Sequence, residues 1–161
     1  MSRPVLHDDF RDLLQAFLEA RVRFVMVGAH ALAVHGVPRA TGDLDLFVAS
    51  TSENANRLVQ ALADFGAPLE SHGITAAAFE RAEVVYQLGL PPRRIDILTS
   101  IDGVEFEDAE RTGLVVELDG LKLLVLGRQQ LLANKVASGR VKDLADAELL
   151  RAQGEDAPGG G

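Results

Sequence analysis

Cysteine and tryptophan are both absent from this chain of 161 residues, and tyrosine occurs once. Without cysteine there is no disulfide framework, no thiolate zinc site and no cysteine nucleophile, and a reducing compartment suits the chain. Basic residues are scarce: 16 Lys plus Arg stand against 24 Asp plus Glu, a formal charge of −8. That balance argues against a broadly basic footprint for nucleic acid or membrane, while leaving room for a local basic cleft. Long apolar runs are missing too. The first twenty residues, MSRPVLHDDFRDLLQAFLEA, interrupt their apolar positions with Asp, Arg, Gln and Glu. We therefore expect neither a signal peptide nor a membrane span, and a cytoplasmic location. A Ser-His-Asp order and a Gly-rich P-loop ending in Lys-Ser or Lys-Thr are also lacking. His30 and His35 are five apart, on different helix faces, which rules out the H-x-x-x-H zinc arrangement.

What is present is enough apolar material for a core. Hydrophobic residues make up 47% of the chain, and a chain of this length buries roughly 70% of its unfolded surface. One domain over residues 1–153 is the expectation, followed by GEDAPGGG from Gly154 to Gly161, whose composition predicts a disordered tail.

Phe10, Leu13, Leu14, Phe17 and Leu18 recur at helical spacing behind Asp8 or Asp9 as the N-cap. Phe24 to Val27 has the brevity of a buried strand, and Gly28 opens a helix ending at Gly36. Leu44, Leu46 and Val48 mark a second strand, and Thr51 or Ser52 caps a helix that stops at Gly66. A short helix over Thr75 to Arg81 precedes strands Val84 to Leu88 and Arg94 to Leu98. Asp119-Gly120 joins strands Leu114 to Leu118 and Leu121 to Leu126 as a hairpin. Helices over Arg128 to Ser138 and Lys142 to Ala152 close the domain. The fold class is α+β (α/β), a small mixed sheet with helices packed against it.

The informative residues are acidic. Positions i and i+2 of a strand share a face, so Asp43 and Asp45 stand together while Leu44 and Leu46 point the other way. Two ionised carboxylates at that range repel, and a partly buried pair needs a cation or strong donors. Magnesium favours hard carboxylate oxygens and keeps positions for water and phosphate, which suits a D-x-D pair to a metal–nucleotide complex. A solvated or salt-bridged acidic pair is the alternative, and the pair alone does not separate the two. Gly28 permits a tight turn and close backbone approach to a ligand, and the helix start behind it offers N–H groups to phosphate. A glycine demanded only by the turn is the plain alternative. Asp96, between Ile95 and Ile97 in an apolar strand, costs free energy without a partner. It is either a third metal ligand or general base, or it pairs with Arg93 or Arg94.

Val27-Gly28-Ala29-His30, then Asp43-Leu44-Asp45-Leu46, then Arg94-Ile95-Asp96-Ile97 together resemble the nucleotidyltransferase superfamily of the polymerase-β type. Its signature runs apolar residue, Gly, Gly or Ser, a spacer, Asp-x-Asp or Asp-x-Glu, and a third acid on a later strand. Ala29 departs from it, standing where Gly or Ser is usual. GAHALAVHGVPRATGDLDLFV and NKVASGRVKDLADAELL are further similar to small uncharacterised bacterial nucleotidyltransferase-like proteins. They are also similar to abortive-infection toxin nucleotidyltransferases, whose Lys-Asp-x-x-Asp motif is matched by Lys142, Asp143 and Asp146.

The resemblance implies a minimal nucleotidyltransferase fold and transfer of a nucleoside monophosphate from a triphosphate to a hydroxyl, with pyrophosphate released. It implies Mg²⁺, or Mn²⁺, held by the catalytic acids Asp43, Asp45 and Asp96. Nucleotide binding would fall to Gly28, Ala29, His30, Arg39, Thr41, Lys135 and Lys142. The acceptor would be RNA, a protein or a small molecule, and the partners a nucleoside triphosphate and either a cognate antitoxin or a second copy, with no membrane. A second class keeps the fold without catalysis, as a binding or regulatory component of a toxin–antitoxin pair, and Ala29 motivates it. A metal-dependent phosphohydrolase is weaker, because no His-Asp ligand set accompanies the acids.

Other residues carry two readings each. Asp143 and Asp146 suit either the motif or the dipole of the last helix. Lys135, Arg140 and Lys142 form either a nucleotide contact or a solvated basic face. Arg39 and Thr41 lie on the loop before the acids, where they suit a phosphate clamp. His30 can meet phosphate at the helix start, whereas His35 reads as packing and His72 as surface.

Overall fold

The computed structural model describes residues 6–39, 42–90 and 92–156. Helix α1 (Asp8–Glu19) buries Phe10, Leu13, Leu14 and Phe17, the stripe its periodicity predicts. Its cap is not an aspartate. His7 takes that place, its Nδ1 accepting the Asp9 N–H at 3.2 Å, and both acids fall inside the first turn, where they favour the helix dipole. Strand β1 (Phe24–Val27) is buried on both faces and passes directly into α2 (Gly28–Val34). Strand β2 (Leu44–Val48) follows, with Asp43 one residue outside it, and then α3 (Ser52–Phe65).

The Thr51 hydroxyl caps α3 by accepting the Asn54 N–H at 3.2 Å. Asn54 itself is buried and clasps two strand ends. Its Oδ1 accepts the Arg23 N–H at 2.7 Å, and its Nδ2 donates to the carbonyls of Arg23 and Ala49. A 3₁₀ turn over Ala76–Glu80 replaces the short helix expected there, ahead of β3 (Val85–Leu88) and β4 (Ile95–Leu98).

Helix α4 (Phe106–Thr112) is the element that periodicity does not reveal. It has seven residues and buries only Phe106 and Ala109, too few positions to display a 3.6-residue repeat. Phe106 meets Phe47 edge-on at 5.2 Å and lies beneath the Arg23 guanidinium, which also pairs with Glu110 at 2.8 Å. Phe47, on the Asp45 face of β2, is buried for this reason.

The hairpin β5 (Leu114–Leu118) to β6 (Leu121–Val125) turns through Asp119 and Gly120 at φ 50° and 81°, the two positive angles that an Asp-Gly turn supplies. Helices α5 (Arg128–Ser138) and α6 (Val141–Asp156) complete the chain. Helix α6 continues past Ala152, so Gly154, Glu155 and Asp156, assigned to the tail above, are helical. The rest of that stretch lies outside the described residues.

The six strands form one mixed sheet in the order β3-β4-β2-β1-β6-β5, as the α+β expectation requires. Strands β2 and β4, and β1 and β6, run parallel, and the other neighbours are antiparallel. That strand order was not legible in the sequence. It brings the end of β1 and the starts of β2 and β4 to one end of the sheet's central strands, with Val27 opposite Asp45 and Asp45 opposite Asp96. Among the described residues no helix is long and apolar enough to cross a membrane.

Candidate active site

Residues far apart in sequence meet at that end of the sheet. Asp45 on β2 stands beside Asp96 on β4 in parallel register, and Asp43 precedes them on the incoming loop. Arg94, just before β4, lies among these acids. Its Nε donates to Asp96 Oδ1 at 2.8 Å and its Nη2 to Asp96 Oδ2 at 3.2 Å. The same Nη2 is 3.3 Å from Asp43 Oδ2, and the Arg94 backbone N–H donates to Asp43 Oδ1 at 3.3 Å. The salt-bridge reading of Asp96 is therefore realised, with Arg94 as the partner, in the same place where the acids converge.

One cation does not neutralise this group. Burial pushes the Asp45 carboxyl up to about 6, and the negative charges of Asp96 and Asp43 push in the same direction, against the pull of Arg94. Gly28 makes room for that carboxyl. A Cβ at Gly28 would lie 2.2 Å from Asp45 Oδ2, and the backbone there has φ +69°. The strand-exit glycine is thus fixed by the aspartate beside it as well as by the turn.

His30, in the first turn of α2, hydrogen-bonds the Asp43 backbone and meets Phe10 edge-on at 6.0 Å. Burial lowers its pKa, with the nearby Asp43 opposing, and its Nδ1 has no partner. Ala29, next to it, is half-buried. His35 packs as expected, with Nε2 2.8 Å from the Leu126 carbonyl oxygen, while exposed His72 bonds the Tyr86 hydroxyl at 2.8 Å.

A second charged group joins α5 and α6. Lys135 Nζ is 3.3 Å from both Asp143 and Asp146, which are 2% and 0% exposed. Asp143 also accepts from Ser138 Oγ at 2.7 Å and Arg140 Nε at 2.6 Å. Burial would raise its pKa, yet these hydrogen bonds and the Lys135 charge hold it below the usual carboxylate range. Asp146 pairs with Arg39, from the loop between α2 and β2.

Three readings change accordingly. Asp143 and Asp146 are buried ion-pair partners, a role that neither the motif nor the helix dipole assigned to them. Lys135, whose side chain is 12% exposed, is not part of a solvated basic face, although Arg140 and Lys142 are exposed. Arg39 is engaged by a carboxylate where a free phosphate clamp was expected. Thr41 lies outside the described residues.

Sequence reasoning treated Arg94 only as a neutralising partner and gave Ser138 no role. The buried acids did leave a signal. Asp143 and Asp146 share a helical face with Ala147 and Leu150, all four buried, and acids on an apolar face require cations. As they stand, no three His, Asp or Glu side chains among the described residues form a ligand cluster for a metal ion.

A mixed six-stranded sheet with a glycine-led helix after its first strand, and acids on β2 and β4, defines a protein of the nucleotidyltransferase fold. Solved structures bear this out. A protein provisionally assigned as a nucleotidyltransferase from Thermotoga maritima superposes with a TM-score of 0.55 at 19% identity, over 92% of this chain and 91% of its own. The lincosamide antibiotic adenylyltransferase LnuA, solved with lincomycin bound, gives 0.52 at 12% identity over 94% and 99%. An antigenic nucleotidyltransferase-like protein from Paracoccidioides brasiliensis gives 0.54 at 17% identity over 96% and 79%. At such identities the likeness is one of fold. No curated protein sequence matches the chain. The family model of the AbiEii nucleotidyl transferase toxin of type IV toxin–antitoxin systems matches residues 11–159, and the chain belongs to that family.

Proposed function

We propose that this protein transfers a nucleoside monophosphate from a triphosphate to a hydroxyl of RNA, a protein or a small molecule, in a magnesium-dependent reaction. The observation that carries the reading is the meeting of Asp43, Asp45 and Asp96 at one end of the central strands, with more negative charge than Arg94 neutralises. The donor set fits a hard divalent cation, since carboxylate oxygens are what magnesium selects. When bound by Asp43, Asp45 and Asp96, Mg²⁺ or Mn²⁺ supplies the missing positive charge and polarises the phosphate under attack.

The chain's own residues supply the rest. Asp96 is the candidate to take the acceptor's proton. The acceptor oxygen then bonds to the α-phosphorus while the bond to the bridging oxygen breaks and pyrophosphate leaves. Arg94 has five donors in a fork that matches phosphate as well as carboxylate, so a triphosphate competes with the acids for it. Lys135, fixed by Asp143 and Asp146, is the candidate for a buried phosphate contact, and Lys142 is the exposed one. Family membership supports this reading and also supports an antitoxin as the cognate regulator.

The test is incubation of the purified protein with each α-labelled triphosphate, Mg²⁺ and host lysate. Labelled RNA, protein or small molecule is expected, and Asp45→Ala is expected to yield none while remaining folded. Transfer at the wild-type rate in that variant rejects the assignment. Two observations favour a second reading, a nucleotide-binding regulator without catalysis: Arg94 already pairs with two of the acids, and Ala29 replaces the usual Gly or Ser. Calorimetry separates them, because tight triphosphate binding without any labelled product defines the regulator.

A further inference from the structure

The cation among the three acids belongs to the chain itself, and it engages all four carboxylate oxygens of Asp43 and Asp96. Arg94 Nε donates to Asp96 Oδ1 at 2.8 Å, and Nη2 donates to Asp96 Oδ2 at 3.2 Å while lying 3.3 Å from Asp43 Oδ2. The backbone N–H of the same residue donates to Asp43 Oδ1 at 3.3 Å. Nη2 thus stands between the two acids, the position from which a cation bridges them. A divalent ion such as magnesium needs the same oxygens at about 2.1 Å, and the guanidinium beside it would repel it. The oxygens are accordingly aimed at Arg94 and not at a common point. Among the described residues no group of three His, Asp or Glu side chains is arranged to hold a metal ion.

Arg94 is placed to leave. It precedes β4 by one residue and Asp96 by two, so its side chain stays on the acids' face of the sheet. That side chain is 28% exposed against 11% for the side chain of Asp96, so solvent reaches the guanidinium more readily than the carboxylate it holds. A planar guanidinium exchanges a two-pronged carboxylate contact most readily for another anion with paired oxygens, and phosphate is such an anion.

We infer that Arg94 is a displaceable counter-ion: it holds Asp43 and Asp96 against a divalent cation until a triphosphate draws the guanidinium onto its phosphates. This role rests on the nucleotidyltransferase reading above, which supplies the triphosphate, and it adds a control on when the acids become available. Donor nucleotide and metal ion then favour each other's binding through one side chain, and linkage makes the effect reciprocal. A permanent structural ion pair is the alternative, and it differs in sign. Removing a structural arginine weakens whatever the site binds, whereas removing a competitor tightens the binding of metal.

Metal ions and triphosphate associate in solution, so the two are titrated apart. The first probe is Mn²⁺ alone at pH 7.5, with the free ion read by electron paramagnetic resonance. Arg94→Gln should bind Mn²⁺ at least tenfold more tightly than the wild type, and Arg94→Lys, which keeps the charge and loses the fork, should fall between them. The second probe is inorganic tripolyphosphate with EDTA present, read by calorimetry. The wild type should bind it at least tenfold more tightly than Arg94→Gln does. Opposite effects of one substitution on cation and anion exclude a misfolded variant as their cause. Mn²⁺ affinity that is unchanged or lower in Arg94→Gln, or tripolyphosphate affinity that is unchanged, overturns the role given to Arg94 and leaves the transfer assay to decide the activity by itself. Absence of Mn²⁺ binding in both proteins overturns this role together with the metal-dependent reading.

Discussion

Asp45→Asn should separate stability from function at the candidate site. The Asp45 carboxyl sits at about 6 against an ordinary 3.8, and at roughly 1.4 kcal/mol per pH unit that difference is worth about 3 kcal/mol. The sign follows from linkage. The folded chain binds the Asp45 proton more tightly than the unfolded chain, so the contribution to stability is present below about pH 4, is lost as pH rises, and is gone above about pH 6. Asparagine is nearly isosteric and carries no charge, so at pH 7.5 the variant avoids most of that loss. Burial and the neighbouring acids are shared causes, and the amide needs hydrogen bonds of its own, so a gain of about 1–3 kcal/mol is expected. For a chain of this size each kcal/mol moves Tm by about 2–4 °C. Thermal melts followed by circular dichroism at pH 7.5 and pH 4 measure the effect. Asp45→Asn should melt several degrees above the wild type at pH 7.5 and level with it at pH 4, while nucleotide transfer is lost. Added Mg²⁺ should raise the wild-type Tm at pH 7.5 and leave the variant unmoved. A destabilised variant at pH 7.5 would refute the charge surplus, and with it the reason for expecting a metal.

Gly28→Ala should cost about 2 kcal/mol or more in urea melts, because its φ of +69° disfavours any side chain and the new Cβ meets Asp45 Oδ2. Arg94→Gln removes the cation that lowers the Asp45 pKa; carbon-detected NMR of the aspartate carboxyls should show Asp45 titrating above 6, and an unchanged titration would refute the role given to Arg94. Lys135→Met should destabilise by about 1–3 kcal/mol at pH 7.5, as read by denaturant unfolding, because Asp143 and Asp146 each lose one cation while Asp143 keeps Arg140 and Ser138 and Asp146 keeps Arg39.

Elements with a strong local signal were legible in the sequence. Helix α1 has an apolar stripe, Gly66 stops α3, and Asp119-Gly120 makes its hairpin, so each of these is fixed by a few neighbouring residues. Helix α4 was not legible, because two buried residues and an Arg23–Glu110 pair formed across the fold hold it in place. The same division holds at the site. Asp43, Asp45 and Asp96 could be singled out because an acid in an apolar strand is costly, and that cost is local. What surrounds them was hidden, since Arg94 is one arginine among several until β2 and β4 pair and turn it towards two carboxylates. The strand order that does this depends on packing both faces of the sheet, which no window of sequence displays.

The two charged groups share one segment. The loop between α2 and β2 has Arg39 held by Asp146 of α6 and Asp43 held by Arg94 before β4. A shift of α6 therefore acts on the loop that carries the first acid, through ion pairs rather than through the sheet. Burying Asp143 and Asp146 is expensive for α6 taken alone, and it becomes intelligible as the means of tying Lys135 and Arg39 to the rest of the fold.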